Sequence, residues 1–265
     1  MPAGHPSVGA RWVAAHRARL ARTRPSTPGG DVEGEGRLYR AVGGTLAVPI
    51  GRPAGLEERT RVIDAEVARA LGHGTGQVVL LGAGYDGRAL RFGGGTVRWF
   101  EVDLPSTQAD KRARLGALGI EPAGVTYVGV DLRRDDVGRA LDAAGHDREA
   151  RSLFVCEGVP THLSLEATAS LCETLRARAP AGSVLVADFV VAPEPGARAR
   201  ALRATKGALL TMTGEPRPNE FRPGDPEKLM VVTGWRVAHA DSSVESRFDP
   251  GSHTLVLVCE PGPAR

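Results

Sequence analysis

Asp103, Asp131 and Glu157 each close a short β-rich run, VRWFEVD, VTYVGVD and SLFVCEG, and all three runs follow a glycine-punctuated turn, GAGYDG, at residues 82–87. Gly82, Gly84 and Gly87 spell G-x-G-x-x-G directly after the run QVVLL. That spacing lets the backbone approach a ligand at the carboxyl end of a first strand. Asp103 stands some twenty residues further on, where a carboxylate can accept both ribose hydroxyls of an adenine nucleoside.

Two cofactors want that acid, NAD and S-adenosyl-L-methionine (SAM), and charge separates them. NAD brings a pyrophosphate that uses the open N-terminus of the first helix, whereas SAM brings a carboxylate, an ammonium and a sulfonium, and needs acids as well as a base. Asp86 lies inside the turn, where its charge repels a pyrophosphate, which favours SAM. Asp131 can accept from an adenine amino group while Leu132 offers a backbone amide and an apolar wall; as a purely structural residue it would cap a helix starting at Arg133. Glu157 falls opposite the glycine turn, at the switch point of an open sheet, where a carboxylate can hold the methionine ammonium. The histidines His5, His16, His73, His146, His239 and His253 show no metal-ligand spacing with another His or Cys, so no metal is expected.

Five strand-length apolar runs carry these residues: QVVLL, VRWFEVD, VTYVGVD, SLFVCEG and SVLVADF. Between them, segments such as 105–118 and 164–180 repeat apolar residues at helical spacing. Strand and helix in alternation predict a Rossmann-like, doubly wound α/β domain with a mostly parallel sheet covered on both faces. The runs WRVAHADS (235–242) and HTLVLVCEP (253–261) have no helix between them and should form an antiparallel hairpin at the sheet edge. Upstream, residues 8–24 and 56–71 read as helices joined by a Gly- and Pro-rich connection over 25–55. We expect residues 1–75 to form a helical cap, with that connection as a mobile lid, over a SAM-binding core at 76–265.

Composition agrees with one catalytic-size domain: 265 residues, 42% of them apolar, with a net charge of only +3. No apolar stretch is long enough to cross a bilayer and the first residues lack a signal-peptide core, so a soluble cytoplasmic protein is expected. Arginines crowd residues 11–24 without interleaved aromatics, which reads as a solvated helical face rather than a nucleic-acid arm. Cys156, Cys172 and Cys259 sit in apolar stretches and read as buried hydrophobes.

The stretches LGAGYDGRALRF, FEVDLPSTQADKRARL, VGVDLRRD and CEGVPTHLSLEA closely resemble the leucine carboxyl methyltransferase family of class I SAM-dependent methyltransferases. Its bacterial branch usually shows G-A-G-x-D-T-R, E-V-D-x-P, V-D-L and E-G-x-x-x-Y-L, and ERTRVIDAEV (58–67) is similar to the preceding R-T-x-x-x-D. The resemblance implies that Arg59 and Arg88 lie at the methionine end, with Arg59 on the SAM carboxylate. It puts Gly82, Ala83 and Gly84 under the methionine and ribose, Asp103 and Leu104 at the ribose, Asp131 and Leu132 at the adenine, and Glu157 and Gly158 near the amino group. Two positions depart: Gly87 stands for the usual Thr, and His162 for the usual Tyr, where it could act as a base or bind substrate. Met212, Arg217 and Phe221, in a long Pro-rich segment, are candidate acceptor contacts. The implied activity is methyl transfer to a carboxyl or hydroxyl oxygen of a small molecule, possible in natural-product biosynthesis, with neither nucleic acid nor membrane as partner and a homodimer allowed. An NAD-dependent oxidoreductase is the alternative, although no Tyr has a Lys four residues on; a non-catalytic SAM-binding module is another.

Overall fold

Strand β1 (Gln77–Leu81) is five residues long and buried on both sides, as a central parallel strand must be. Around it the computed structural model, which describes residues 8–20, 25–43, 54–192, 219–245 and 252–263, builds a seven-stranded sheet. The others are β2 (Arg98–Asp103), β3 (Val125–Gly129), β4 (Ser152–Cys156), β5 (Val184–Val191), β6 (Trp235–Glu245) and β7 (His253–Pro261), in spatial order β3-β2-β1-β4-β5-β7-β6. The first five run parallel, and β7 inserts antiparallel between β5 and β6. The C-terminal hairpin therefore forms as its sequence predicts, with β6 outermost. Strand order reverses between β1 and β4, whose residues Leu81 and Cys156 are in register at the carboxyl edge.

Alternate residues of each strand supply two different cores. Val79, Leu81, Phe100, Val102 and Phe154 point to one face, with Leu141, Leu171 and Leu175 from α6 (Val137–Ala143) and α7 (Leu165–Arg176). Cys156, Cys172 and Cys259 are free and buried within this core. Burial pushes the thiols of Cys172 and Cys259 up to about 12, so they behave as small hydrophobes. Val78, Leu80, Trp99, Leu153 and Val155 point to the other face, against Ile63, Val67 and Ala70 of α3 (Ala54–Gly72). Those three recur at helical spacing, so α3 shares the sheet's own core. Because α3 ends where β1 begins, its first turns lie at the carboxyl edge of the sheet.

The segment expected to be a mobile connection contains a helix, α2 (Val32–Gly43). Gly34 and Gly36 lower its intrinsic propensity. Tertiary burial outweighs them: Leu38, Tyr39 and Val42 pack with Ala14 of α1 (Val8–Leu20), Tyr85 and Leu90 of the glycine turn and the short helix α4 (Arg88–Arg91), and Leu115 of α5 (Pro105–Ala117). The Asp31 carboxylate accepts the Gly34 N–H at 2.6 Å, satisfying one free donor of the first turn. Among the described residues the last helix, α8 (Asp225–Val232), leads into β6. Among the described residues no helix is long and apolar enough to cross a membrane.

Candidate functional site

At the end of β1 the chain turns through Gly82 (φ +61°) and Gly84 (φ +50°), in the left-handed region that side chains resist. Gly82 also has no room for a side chain, since a Cβ there would stand 2.5 Å from Val159 Cγ2, which arches over from the end of β4. The Gly84 N–H donates to Asp103 Oδ2 and the Leu104 N–H to Asp103 Oδ1, both at 2.6 Å, so β2 holds the turn through the acid that ends it. Burial outweighs those two amides and pushes the Asp103 carboxyl up from its ordinary value. Lys111 of α5 is buried beneath the turn and donates to the Asp86 carbonyl and to Glu101 Oε2, both at 2.6 Å.

Gly87 is explained by α2. A Cβ at Gly87 would lie 2.4 Å from Glu35 Cγ, so α2 fills the space that the family's threonine would need. Its Tyr39 hydroxyl accepts the Gly87 N–H and donates to Glu35 Oε1, each at 3.0 Å.

Between the glycine turn and the end of β4 lies a buried charge cluster. Glu157 Oε2 meets Arg17 Nη2 at 2.5 Å and Arg88 Nη1 at 2.6 Å, while Glu157 Oε1 faces Arg59 Nη2 at 3.1 Å. Arg88 also reaches Asp86 Oδ2 (2.5 Å) and Asp64 Oδ1 (2.7 Å), Arg17 reaches Asp86 Oδ2 (3.1 Å), and Arg59 reaches Asp188 Oδ2 (2.9 Å). Burial works against the Glu157 charge, but Arg17, Arg88 and Arg59 outweigh it and hold the carboxyl well below the usual carboxylate range. Asp86 is likewise lowered: burial opposes it, and Arg88 and Arg17 prevail. Arg88 is fully buried behind the cavity wall and does not line the cavity, so its side chain braces Asp86 and Glu157.

Arg17 departs from the sequence expectation. It was counted with a solvated arginine face, yet it is 4% exposed and turned into the cluster. Ala10, Val13, Ala14 and Arg17, at helical spacing on α1, roof a cavity of about 440 Å³. Its floor and walls include Gly82, Ala83, Gly84, Asp86, Asp103, Leu104, Asp131, Leu132, Glu157 and Gly158, together with Arg59, so most of the residues singled out in the sequence converge there. Asp188, which the sequence reading passed over, holds Arg59, and Asp64, the acid of the R-T-x-x-x-D pattern, holds Arg88; Asp188 Oδ1 also accepts the Gly158 N–H.

His162 ends a short 3₁₀ turn (Pro160–His162), is exposed, and stands at the cavity's rim. Phe221 does not line the cavity. It is buried edge-on to Phe189, ring centres 5.0 Å apart, and exchanges backbone hydrogen bonds with Val190 and Ala192. Met212 and Arg217 lie outside the described residues.

Among the described residues the buried Arg17 Nε, Arg59 Nε and Arg88 Nη2 have no hydrogen-bond partner, and Glu157 Oε1 has only its ion-pair contact with Arg59 Nη2. Guanidinium donors beside a carboxylate acceptor fit an amino acid's carboxylate and ammonium. The cavity's size also suits a ligand larger than a free amino acid.

This strand order, with a glycine turn at the switch point, is the fold of the SAM-dependent methyltransferases, whose cofactor is SAM. Residues 47–176 match the family model of leucine carboxyl methyltransferase, so over that stretch the resemblance of the motifs is confirmed. A Mycobacterium sp. (strain KMS) protein whose name proposes an S-adenosyl-L-methionine-dependent methyltransferase is 39% identical over 140 residues, 52% of this chain and 45% of its own. The chain spans about half the length of the curated relatives it matches. Among solved structures, magnesium protoporphyrin IX methyltransferase from Synechocystis PCC 6803 with bound S-adenosylhomocysteine (SAH) aligns over 84% of this chain and 91% of its own, with TM-score 0.55 and 15% identity. The 1,6-didemethyltoxoflavin-N1-methyltransferase of Burkholderia thailandensis aligns over 80% of each chain, with TM-score 0.50 and 15% identity. At these identities the structures establish the shared fold alone.

Proposed function

We propose that the chain is a SAM-dependent O-methyltransferase acting on a carboxyl or hydroxyl oxygen of a small molecule, in bacterial natural-product biosynthesis. The observation that carries this reading is the mixed-sign array of Arg17, Arg59, Asp86 and Glu157 on one wall of the cavity. It offers a zwitterion both of the charges it needs and opposes a pyrophosphate with two carboxylates. Arg17 and Arg59 hold the carboxylate, Glu157 the ammonium, Asp103 the ribose hydroxyls, and Leu104, Val130 and Leu132 supply an apolar wall for the base.

When bound, SAM supplies a methyl group already activated by its sulfonium. The chain's own task is then to orient and to exclude water. Ala10, Val13 and Ala14 of α1 close the cavity from above, so we read α1 and α2 as a cap on the sheet's ligand edge. His162, at the rim, accepts the proton of a hydroxyl acceptor; a carboxylate acceptor arrives ionised and needs no base.

The test is incubation with methyl-labelled SAM and a panel of small carboxylic acids and phenols. Label in a base-labile ester identifies a carboxyl acceptor, label in a base-stable ether a hydroxyl. SAM binding by calorimetry without transfer to any acceptor would leave a binding module instead. Asp103→Ala should weaken SAM binding at least tenfold by removing a charged acceptor, and a folded variant with unchanged affinity removes Asp103 from the site.

A further inference from the structure

Strand β5 reads VLVADFVV, and Asp188 is its one charged residue. It shares a face with Val184 and Val186, which pack against α3, and with Val190, which lines the cavity. On α3 the matching stripe is Ile63, Val67 and Ala70, and Arg59 stands one turn before Ile63. The contact between strand and helix therefore continues as an ion pair where the core gives way to the cavity: Arg59 Nη1 donates to Asp188 Oδ2 at 2.9 Å. The Asp188 side chain is fully buried and does not itself line the cavity, whereas Arg59, Glu157 and Gly158 do.

Both oxygens of Asp188 are engaged with the site. Oδ1 accepts the N–H of Gly158, which turns the chain at φ +70° directly after Glu157. By taking Nη1 of Arg59, Oδ2 leaves the opposite edge of the guanidinium, Nε with Nη2, which is the edge that Arg148 uses to grip both oxygens of Asp142. On Arg59 that Nε has no hydrogen-bond partner among the described residues, and Nη2 faces Glu157 Oε1 at 3.1 Å. An ionised acid is expensive to bury, so Asp188 depends on these two partners as they depend on it.

From this arrangement we infer that Asp188 is the positioning residue for the amino-acid end of the cofactor: one buried carboxylate fixes both Arg59 and the backbone behind Glu157, the partners of the cofactor's carboxylate and ammonium, at the spacing of a single zwitterion. The inference rests on the cofactor placement proposed above, which Arg59→Ala reads separately.

The experiment compares, by calorimetry, the binding of SAH with that of 5′-methylthioadenosine, which keeps the adenosine and the sulfur but lacks the amino-acid end. Asp188→Asn preserves the shape and an acceptor for Gly158, but turns an amide toward the Arg59 donor. It should weaken SAH by about tenfold or more, the worth of a hydrogen bond to a charged group. Binding of 5′-methylthioadenosine should change by less than about twofold, because the lost contact serves a part that this ligand does not have. In an Arg59→Ala background the same substitution should cost SAH less than about a further threefold, since a residue that acts through another has little left to lose once that other is gone. Asp188→Ser, which shortens the side chain and keeps an acceptor oxygen, reads the same ratio if the asparagine variant does not fold. A merely structural role would weaken both ligands together and leave their ratio untouched, which overturns the inference. Unchanged or tighter SAH binding by Asp188→Asn overturns it as well, because Asp188 would then only neutralise charge. If Arg59→Ala alone binds SAH as wild type does, the cofactor placement falls and the inference with it; if Arg59→Ala weakens SAH and Asp188→Asn does not, the placement stands and the inference alone is lost.

Discussion

Strands β1 and β4 end in buried polar clusters at both edges of the sheet, and the two clusters are built differently. At the amino edge Gln77 and Ser152, in register, join a neutral network: Gln77 Nε2 donates to the Asp147 carbonyl (2.8 Å), Gln77 Oε1 accepts the Asp147 N–H (2.9 Å), and the Ser152 hydroxyl lies 3.1 Å from His146 Nε2 and donates to the Ala150 carbonyl. At the carboxyl edge Glu157 gathers three guanidiniums, with Asp64, Asp86 and Asp188 behind them. Among the described residues the neutral network leaves His146 Nδ1 without a hydrogen bond, whereas the charged cluster leaves Arg17 Nε, Arg59 Nε and Arg88 Nη2 so. A neutral, nearly saturated network fastens strands. A charged cluster with open valences costs desolvation that a ligand can repay, which is where function belongs.

The sharpest way to break this contrast is Glu157→Gln. Removing one partner of a buried ion pair typically costs about 3–5 kcal/mol, which in a domain of this size corresponds to a fall in melting temperature of roughly 10 °C. SAM affinity should fall at the same time, by more than tenfold. Thermal unfolding and calorimetry on the same sample read both. A variant that kept its melting temperature would show that the Arg17, Arg59 and Arg88 charges are satisfied without Glu157.

Acidification should act on the opposite cluster. Burial lowers the His146 imidazole from its ordinary 6.5 to about 4, aided by the charges of Arg178 and Arg98, and its ring sits edge-on to Phe100. A folded-state value below the unfolded one means that the neutral ring is favoured by folding. Its stabilisation is complete above pH 6.5 and is lost as pH falls toward 4, to a total of about 3 kcal/mol. The buried carboxylates Asp86 and Glu157 are lowered, so their contribution persists into more acid solution. The difference in unfolding free energy between wild type and His146→Gln, measured from pH 7.5 to 4.5, isolates the ring. Parallel curves would mean that the His146 ring titrates alike in the folded and the unfolded chain.

How far each cluster was legible in the sequence follows from how its residues are paired. The strands and the acids that close them, Asp103, Asp131 and Glu157, were readable because a run of apolar residues and its terminal acid are neighbours in the chain. Asp188 was not, since it sits inside the run SVLVADF and its partner Arg59 lies 129 residues away. Arg17 was readable in principle: with Ala10, Val13 and Ala14 it forms a helical stripe, but Arg11, Arg19, Arg22 and Arg24 carry the same charge in the same stretch, so charge alone does not single it out. Gly34 and Gly36 disguised α2, whose burial against the glycine turn is tertiary. Once α2 is in place, Gly87 needs no functional account, because Glu35 occupies the volume of a side chain there.

The smallest effect separates fastening from function most cleanly. Gln77→Leu removes the paired hydrogen bonds to Asp147 at the amino edge while keeping an apolar stem in the strand. Loss of such a partly buried pair should cost about 1–2 kcal/mol in denaturant unfolding. SAM affinity should stay within twofold, because β1 separates Gln77 from Gly82 by its full length. If Gln77→Leu weakened SAM binding as much as it weakened the fold, the two ends of β1 would be coupled, and the amino-edge network would have to be counted as part of the site it was taken to support.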